Sequence, residues 1–484
     1  MERKNVWLGY QEDQLARLET LNREYMDFLD NGKTERECVG TIVETLEASG
    51  YRELERVLAE EGGRLKTGDK VYRVWMDKTI VIFRIGKKTL TDGMNVLGAH
   101  IDSPRLDIKQ DPLYEEGGFA YLDTHYYGGV KKYQWVTIPL AIHGVVAKKD
   151  GSTVELRVGE EAGEPVFFIS DLLIHLAQEQ MEKKASKVIE GEALDIIVGS
   201  RPIQVGKKEQ PSAGEASSEE KGEDAEKKAA KEAVKTGILN ILKETYGIQE
   251  EDFLSAELEV VPAGGAREAG FDRSMVLAYG QDDRVCAFTS FKALLDAGET
   301  DRTLCCILSD KEEVGSVGAT GMHSRFFENT VAEVMNLCGE YSELNLRRCL
   351  SRCHMLSSDV SSAYDPSFAD CFDKKNVAYL GGGMVFNKFG GARGKSGSND
   401  ANAEYLAQLR NILEQGGIRF QTAELGKVDL GGGGTIAYIL AHYGMNVIDS
   451  GVAVLNMHAP WEATSKADVY EAYRGYQVFL EKAC

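Results

Sequence analysis

Five places along this chain put side chains that can bind a metal or move a proton directly after an apolar run, or at the opening of the next element. They are His100 with Asp102, Asp282 with Asp283, Glu312 with Glu313, Asp359, and His458. Each alone is a weak signal, because a lone buried histidine is more often structural and adjacent carboxylates are usually solvated. The Glu312-Glu313 pair is different. TLCCILSDKEEVGSVGATG sets it just after the most hydrophobic strand-like run in the chain, and the glycines behind it allow close backbone packing. Taken together, two imidazoles and several carboxylates at strand ends describe a metal site that suits zinc, with cobalt or manganese also compatible. One ion with an open position needs about three protein ligands. Five ligands with one shared carboxylate would hold two divalent ions about 3.5–4 Å apart. Either Glu312 or Glu313 is then left over as a general base, and Asp102, two residues beyond His100, can orient the imidazole.

The elements that must carry these groups can be read from the apolar pattern. Residues 96–99 form a short apolar run that ends in His100, residues 304–308 are apolar throughout, and residues 452–460 hold another such run. Apolar runs of this length fit strands of a sheet covered on both faces. Helical stretches lie between them, including DRVCAFTSFKALLDAG and ANAEYLAQLRNILEQGG. The first 50 residues read as helices, with Thr34 and Glu37 as a capping box. Residues 71–85 read as a hairpin turning near Asp77-Lys78. Strand–helix alternation predicts an α/β fold with a doubly wound mixed sheet, in which chemistry gathers at the C-terminal strand ends.

From about 104 the pattern changes to short β-like stretches, and DLLIHLAQEQMEKKA at 171–185 is expected to be a helix. Residues 206–235 are low-complexity and acidic, with Val234 as the only larger apolar residue, which predicts a surface loop. The expected organisation is a catalytic domain built from 1–103 and 256–484, with a β-rich domain inserted at 104–255.

Composition narrows the function classes. The 484 residues amount to roughly three domains' worth of chain, and the formal net charge is −21. A surface this acidic repels phosphate backbones and anionic lipid, so neither a nucleic-acid nor a membrane partner is expected. No run approaches the roughly 18 apolar residues that span a bilayer, and the N-terminus has no signal-peptide stretch. Nine cysteines, an odd count without CxxC spacing, point to free thiols in a reducing, cytoplasmic setting. FGGARGKSGS lacks the glycine a phosphate-binding loop needs five positions before Gly394, where Phe389 stands. Gly315, Gly318 and Gly321 miss the dinucleotide spacing. The glycines at 431–434 read either as a flexible helix entry or as backbone N–H groups turned toward a ligand. His125, His143, His323, His354 and His442 fit no metal motif and read as structural or surface residues.

AHIDSPRLDIK, GQDDRVCAF, SDKEEVGSVGATG, LSSDVSSAYDP and NMHAPWE resemble, in order, the five metal-site motifs of the aspartyl aminopeptidase family of dizinc peptidases. The resemblance spans nearly the whole chain and implies a role for each residue. His100 and Asp359 bind one metal, Glu313 and His458 bind the other, and Asp282 bridges both, with Asp283 as its neighbour. Glu312 is the catalytic base and Asp102 the orienting acid. The substrates it implies are small peptides with a free N-terminus, with N-terminal Asp or Glu favoured through a basic pocket residue. Lys388 is the candidate for that residue, beside Arg393 and Lys395. It further implies that the inserted domain dimerises, that dimers build a homo-oligomeric dodecamer, and that His175 reaches the neighbouring subunit's site. The bland alternative for His175 is a partly buried structural residue on an amphipathic helix. A dizinc deacylase or carboxypeptidase would use the same ligands. A catalytically silent oligomeric binding protein would have no need to keep both the ligands and the base.

Overall fold

The apolar runs that end in candidate ligands form the parallel centre of a nine-stranded sheet in a computed structural model, which describes residues 4–203 and 232–483. Across the sheet the strands run Arg52–Glu53, Lys70–Trp75, Thr79–Arg84, Thr303–Ser309, Met94–His100, His354–Ser358, Asn446–Gly451, Met384–Asn387 and Phe420–Thr422. The four strands from Thr303–Ser309 to Asn446–Gly451 are mutually parallel, with antiparallel partners on either side. Every residue of Thr303–Ser309 and Met94–His100 is buried. Leu304, Cys306 and Leu308 join one hydrophobic core, while Cys305 and Ile307 join the core on the opposite face. Helices Gln281–Asp296 and Lys466–Lys482 cover the first face, and Phe326–Leu337 and Glu343–Ser351 cover the second. The sheet is therefore wound on both sides, as the unbroken apolar strands require.

The chain divides into two units, residues 1–103 with 265–484, and residues 104–264. The first also holds a five-stranded sheet in the order Arg267–Ala269, Met275–Ala278, Glu462–Ser465, Ala453–Leu455, Ser361–Ser362. This corrects the reading of 452–460 as a strand of the large sheet. The large sheet takes the preceding segment, Asn446–Gly451, while Ala453–Leu455 belongs to the small one. The expected hairpin forms, with Met76 and Asp77 in the left-handed region at its turn. The helix Glu35–Ala48 begins with the expected capping box of Thr34 and Glu37.

The second unit is a six-stranded, wholly antiparallel sheet in the order Thr153–Val158, Leu140–Ala147, Ala256–Pro262, Arg105–Glu116, Phe119–Tyr127, Ile196–Gly199. It ends nine residues later than expected from the sequence, because Ala256–Pro262 pairs in its middle. The expected helix over 171–185 does not form. The segment holds short turns at Ile174–Leu176, Gln178–Met181 and Ala185–Val188. At helical spacing Leu172, Leu173 and Leu176 would share one face, but the segment leaves that face uncovered. Leu172, Leu173, Ile174 and Leu176 are all exposed. Of the low-complexity segment 206–235, residues 206–231 lie outside the described residues. The helix Ala233–Ile241 takes in its end, with Val234 buried and the Val234 and Lys235 amides donating to Glu115 Oε2 at 2.9 Å each. Among the described residues no helix is long and apolar enough to cross a membrane.

Candidate metal centre

Each candidate ligand in the first unit sits where an element ends. His100 closes Met94–His100, Asp359 follows His354–Ser358, and Glu312 and Glu313 open a single 3-10 turn shortly after Thr303–Ser309. That turn is flanked by Lys311 and Gly315, both in the left-handed region, and glycine meets this demand without strain. Asp282 and Asp283 follow Met275–Ala278 with non-helical dihedrals and a cis peptide between them. His458 lies in the loop between Ala453–Leu455 and Glu462–Ser465. The large and small sheets thus bring their ligands to one place. Gly451 makes the approach possible, since a Cβ there would overlap the Asp359 carbonyl oxygen.

Asp282 stands at the middle. Its Oδ1 is 3.3 Å from His100 Nε2, and its Oδ2 is 3.2 Å from His458 Nε2. His458 Nε2 is also 3.4 Å from Glu313 Oε2. Two groups have ligand atoms close enough to share an ion: His100, Asp282 and Glu313, and His100, Asp283 and Asp359. Asp283 therefore joins the cluster, and its Oδ2 also accepts the His100 amide at 3.4 Å. Asp102 acts from behind. The His100 Nδ1 lies 3.0 Å from the Asp102 carbonyl oxygen and 3.2 Å from Oδ1, which directs the Nδ1 proton there and turns Nε2 toward the cluster. The same carboxylate accepts the Glu312 amide at 3.0 Å and the Glu313 amide at 3.1 Å.

The electrostatics fit a cation. Burial, and then neighbouring carboxylates, push Asp283, Glu313 and Asp359 well above the usual carboxylate range. Burial opposes the ionised form of Asp282 as well, yet the hydrogen bonds from His100 and His458 outweigh it and hold Asp282 below that range. Asp283 Oδ1 and Glu313 Oε1 are buried with no hydrogen-bond donor. Buried oxygens without donors, among like charges that repel one another, are what a divalent ion satisfies. Imidazole with carboxylate and no thiolate suits zinc.

Sequence reasoning did not find the role of Glu462. It is buried, its Oε2 accepts the Asp282 amide at 3.0 Å, and its Oε1 accepts the His458 amide at 2.8 Å. It fixes the backbone of two candidate ligands. NMHAPWE carries the residue, but nothing in that run tells a buried glutamate from a solvated one.

A cavity of about 420 Å³ adjoins the cluster, with Glu312, Glu313, Asp359 and His458 on one side. The glycines 432–434 line it, so the glycine run faces the cavity and does not merely lead into a helix. Asn387 and Phe389 also line it, and Lys388, in the bend just past Met384–Asn387, does not. His175 belongs to the second unit and is exposed, which corrects its reading as a partly buried helical residue. His143, by contrast, is a buried structural residue paired with Glu160 at 2.9 Å.

Residues 28–480 match the family described as Aminopeptidase I zinc metalloprotease (M18). The chain is 58% identical over 479 residues to a protein of Clostridium acetobutylicum named "probable M18 family aminopeptidase 1", covering 99% of this chain and 98% of that one. It is similar to the crystal structure of aminopeptidase I from the same organism, at TM-score 0.88 and 55% identity. It is similar also to an M18 family aminopeptidase from Thermotoga maritima, at TM-score 0.90 and 43% identity; each comparison covers 100% of both chains.

Proposed function

The chain belongs to the Aminopeptidase I (M18) family of zinc metalloproteases and is a metallo-aminopeptidase, and on that premise we propose that it holds two divalent ions and releases single residues from the free N-termini of small peptides. His100 and Asp359 would hold one ion, Glu313 and His458 the other, and Asp282 would serve both. One observation carries this reading: Asp282 presents one oxygen to each of two histidines, 3.3 and 3.2 Å away. When bound, the ions supply the positive charge that polarises a peptide carbonyl and acidifies water.

The protein's own groups do the rest. Glu312 lines the cavity beside the cluster, and burial pushes its carboxyl above the usual carboxylate range. A carboxylate poised there can take a proton from the attacking water and return it to the departing amine. Asp102 holds the Glu312 turn and the His100 ring in place through three short contacts. A cavity walled by carboxylates receives the substrate's α-ammonium, which limits cleavage to the terminal residue. Aminoacyl chromogenic substrates, assayed with zinc, cobalt and manganese, test the reading. Turnover is expected on free-amine substrates and absent on N-acetylated ones. Equal turnover of the acetylated forms would instead mark a deacylase.

The proposal includes a homo-oligomer, expected to be a dodecamer built from dimers, and the support is the exposed apolar run Leu172, Leu173, Ile174 and Leu176. Apolar surface of this kind marks a contact between chains. His175 sits inside that run and would reach a neighbouring subunit's substrate. Co-expressing His175→Ala with Glu312→Gln should restore activity above either variant alone, because a mixed interface pairs an intact base with an intact imidazole. No gain in the hybrids, or a monomeric parent, removes His175 from the site. The resemblance adds a preference for N-terminal Asp or Glu through Lys388, which is absent from the cavity lining. A selective loss of Asp and Glu turnover in Lys388→Met would restore that role.

A further inference from the structure

A peptide that gives up its N-terminal residue enters the cavity amine first, so the residue being released lies against the metal cluster and the rest of the chain leaves through the mouth. Asp282 is buried at the cavity floor, whereas Gly433 and Gly434 are exposed at its rim and Tyr438 is half-buried beside them. Tyr438 is the only phenol in the lining among the described residues. We propose that Tyr438 binds the retained part of the peptide, its hydroxyl donating to the carbonyl oxygen of the second residue, and that His323 is the positioning residue that aims it. This inference rests on the aminopeptidase reading above.

The phenol is held from two sides. Tyr438 sits in the short helix Ala437–Ala441, whose start is fixed by Thr435: the hydroxyl donates to Asp449 Oδ1 at 2.6 Å and its oxygen accepts the Ala437 amide at 3.2 Å. Ile436, Ala437, Ile439 and Leu440 are buried in the core around it, while Tyr438 faces the cavity. On the other side His323 Nε2 stands 2.9 Å from the Tyr438 hydroxyl oxygen, with the two rings edge to face at 5.7 Å. His323 is itself tied to the loop that carries Glu312, because its amide donates to the Ser316 carbonyl at 3.1 Å and the Ser316 amide donates to the Lys311 carbonyl at 2.6 Å. The contact between Tyr438 and His323 therefore joins the glycine run to the Glu312 loop, and Ser316 and Tyr438 both line the cavity. A phenol offers one proton and two acceptor sites. With His323 Nε2–H donating to one of those sites, the proton is left for the substrate. Two other neutral donors of the wall are already engaged, the Thr435 hydroxyl on Asp449 and the Asn387 amide 3.4 Å from Ser361 Oγ. In an extended peptide the second carbonyl lies about 3.3–3.6 Å farther along the chain than the scissile one, which carries it from the cluster toward the mouth.

Two substrates with the same N-terminal residue separate this role from a structural one. One is a tripeptide ending in two alanines, and the other is the 4-nitroanilide, which has no second-residue carbonyl; both carry the N-terminal residue turned over best in the aminoacyl panel. They are assayed on the zinc-loaded protein and on variants of matching zinc content. Tyr438→Phe should lower kcat/KM for the tripeptide by about three- to tenfold, the worth of one neutral hydrogen bond, and by at least about threefold more than for the anilide. His323→Ala should show the same selective loss. His323→Gln, whose amide can still donate to the phenol oxygen, should recover most of it. Tyr438→Phe combined with His323→Ala should be no worse than Tyr438→Phe alone, since the two side chains act through one bond. Equal losses on tripeptide and anilide, or a tripeptide loss under about threefold, overturn the inference and leave the aminopeptidase reading intact. A His323→Gln variant as impaired as His323→Ala overturns the positioning role. A parent that turns over neither substrate with zinc, cobalt or manganese overturns the aminopeptidase reading, and the assignment of Tyr438 falls with it.

Discussion

Replacing Asp102 with asparagine keeps the side chain's shape and changes what it can accept. In the protein one carboxylate oxygen takes the Glu312 amide at 3.0 Å, the other takes the Glu313 amide at 3.1 Å, and Oδ1 also stands 3.2 Å from His100 Nδ1. An asparagine has one acceptor end and one donor end. Whichever way the amide is turned, its NH2 group faces a backbone N–H, and that donor is left without a partner beside a fully buried side chain. An unsatisfied buried donor costs about 1–3 kcal/mol, which corresponds to roughly 5- to 150-fold at 1.36 kcal/mol per factor of ten. A separate route gives a similar figure, since removing the group that orients a metal-binding histidine typically costs about 10–100-fold in affinity or activity. The expected result for Asp102→Asn is therefore a 10–100-fold loss of zinc affinity, measured by competition with a chromophoric chelator, in a protein whose circular dichroism matches the parent. A correctly folded variant that binds zinc within about twofold of the parent would refute the argument, because Asp102 would then position neither the histidine nor the Glu312 turn.

Glu312→Gln should retain its zinc by elemental analysis and lose about 10²–10⁴-fold in kcat; activity within tenfold of the parent would mean that another group moves the proton. Asp282→Asn should lower metal content more than Asp283→Asn does, and the reverse order would make Asp283 the shared ligand. Stripping the metals with a chelator should abolish turnover and lower the melting temperature, since clustered carboxylates are left facing one another, and zinc should restore both; full activity in the stripped protein would exclude a metal mechanism. Leu308→Ala, at a fully buried position of the central sheet, should cost about 2–5 kcal/mol in urea unfolding, and a loss under about 1 kcal/mol would contradict the packing described.

The sequence by itself determined the chemistry and most of the frame. Residues 304–308 could only be a strand buried on both faces, and the carboxylates behind them had to lie at its end, so the site's composition and its place in a doubly wound sheet were legible from apolar runs and residue types. Local signals also sufficed where the physics is local, as in the Thr34–Glu37 capping box and the hairpin turn at Asp77. The tertiary structure decided whatever depends on which segments meet. Ala256–Pro262 joined the inserted sheet by pairing with Arg105–Glu116 and Leu140–Ala147, partners more than a hundred residues away that no local pattern could reveal. Residues 171–185 did not become the expected helix, since propensity says nothing about an apolar face that has nothing in its own unit to pack against. Only the fold set Asp102 beneath the Glu312 turn and Glu462 beneath Asp282 and His458. Only the fold set Asn387, and not its neighbour Lys388, in the cavity wall. A count along the chain could name the neighbourhood, while which side chain lines the cavity was settled where Met384–Asn387 pairs with Asn446–Gly451 and the chain then bends away, because that pairing joins segments about sixty residues apart.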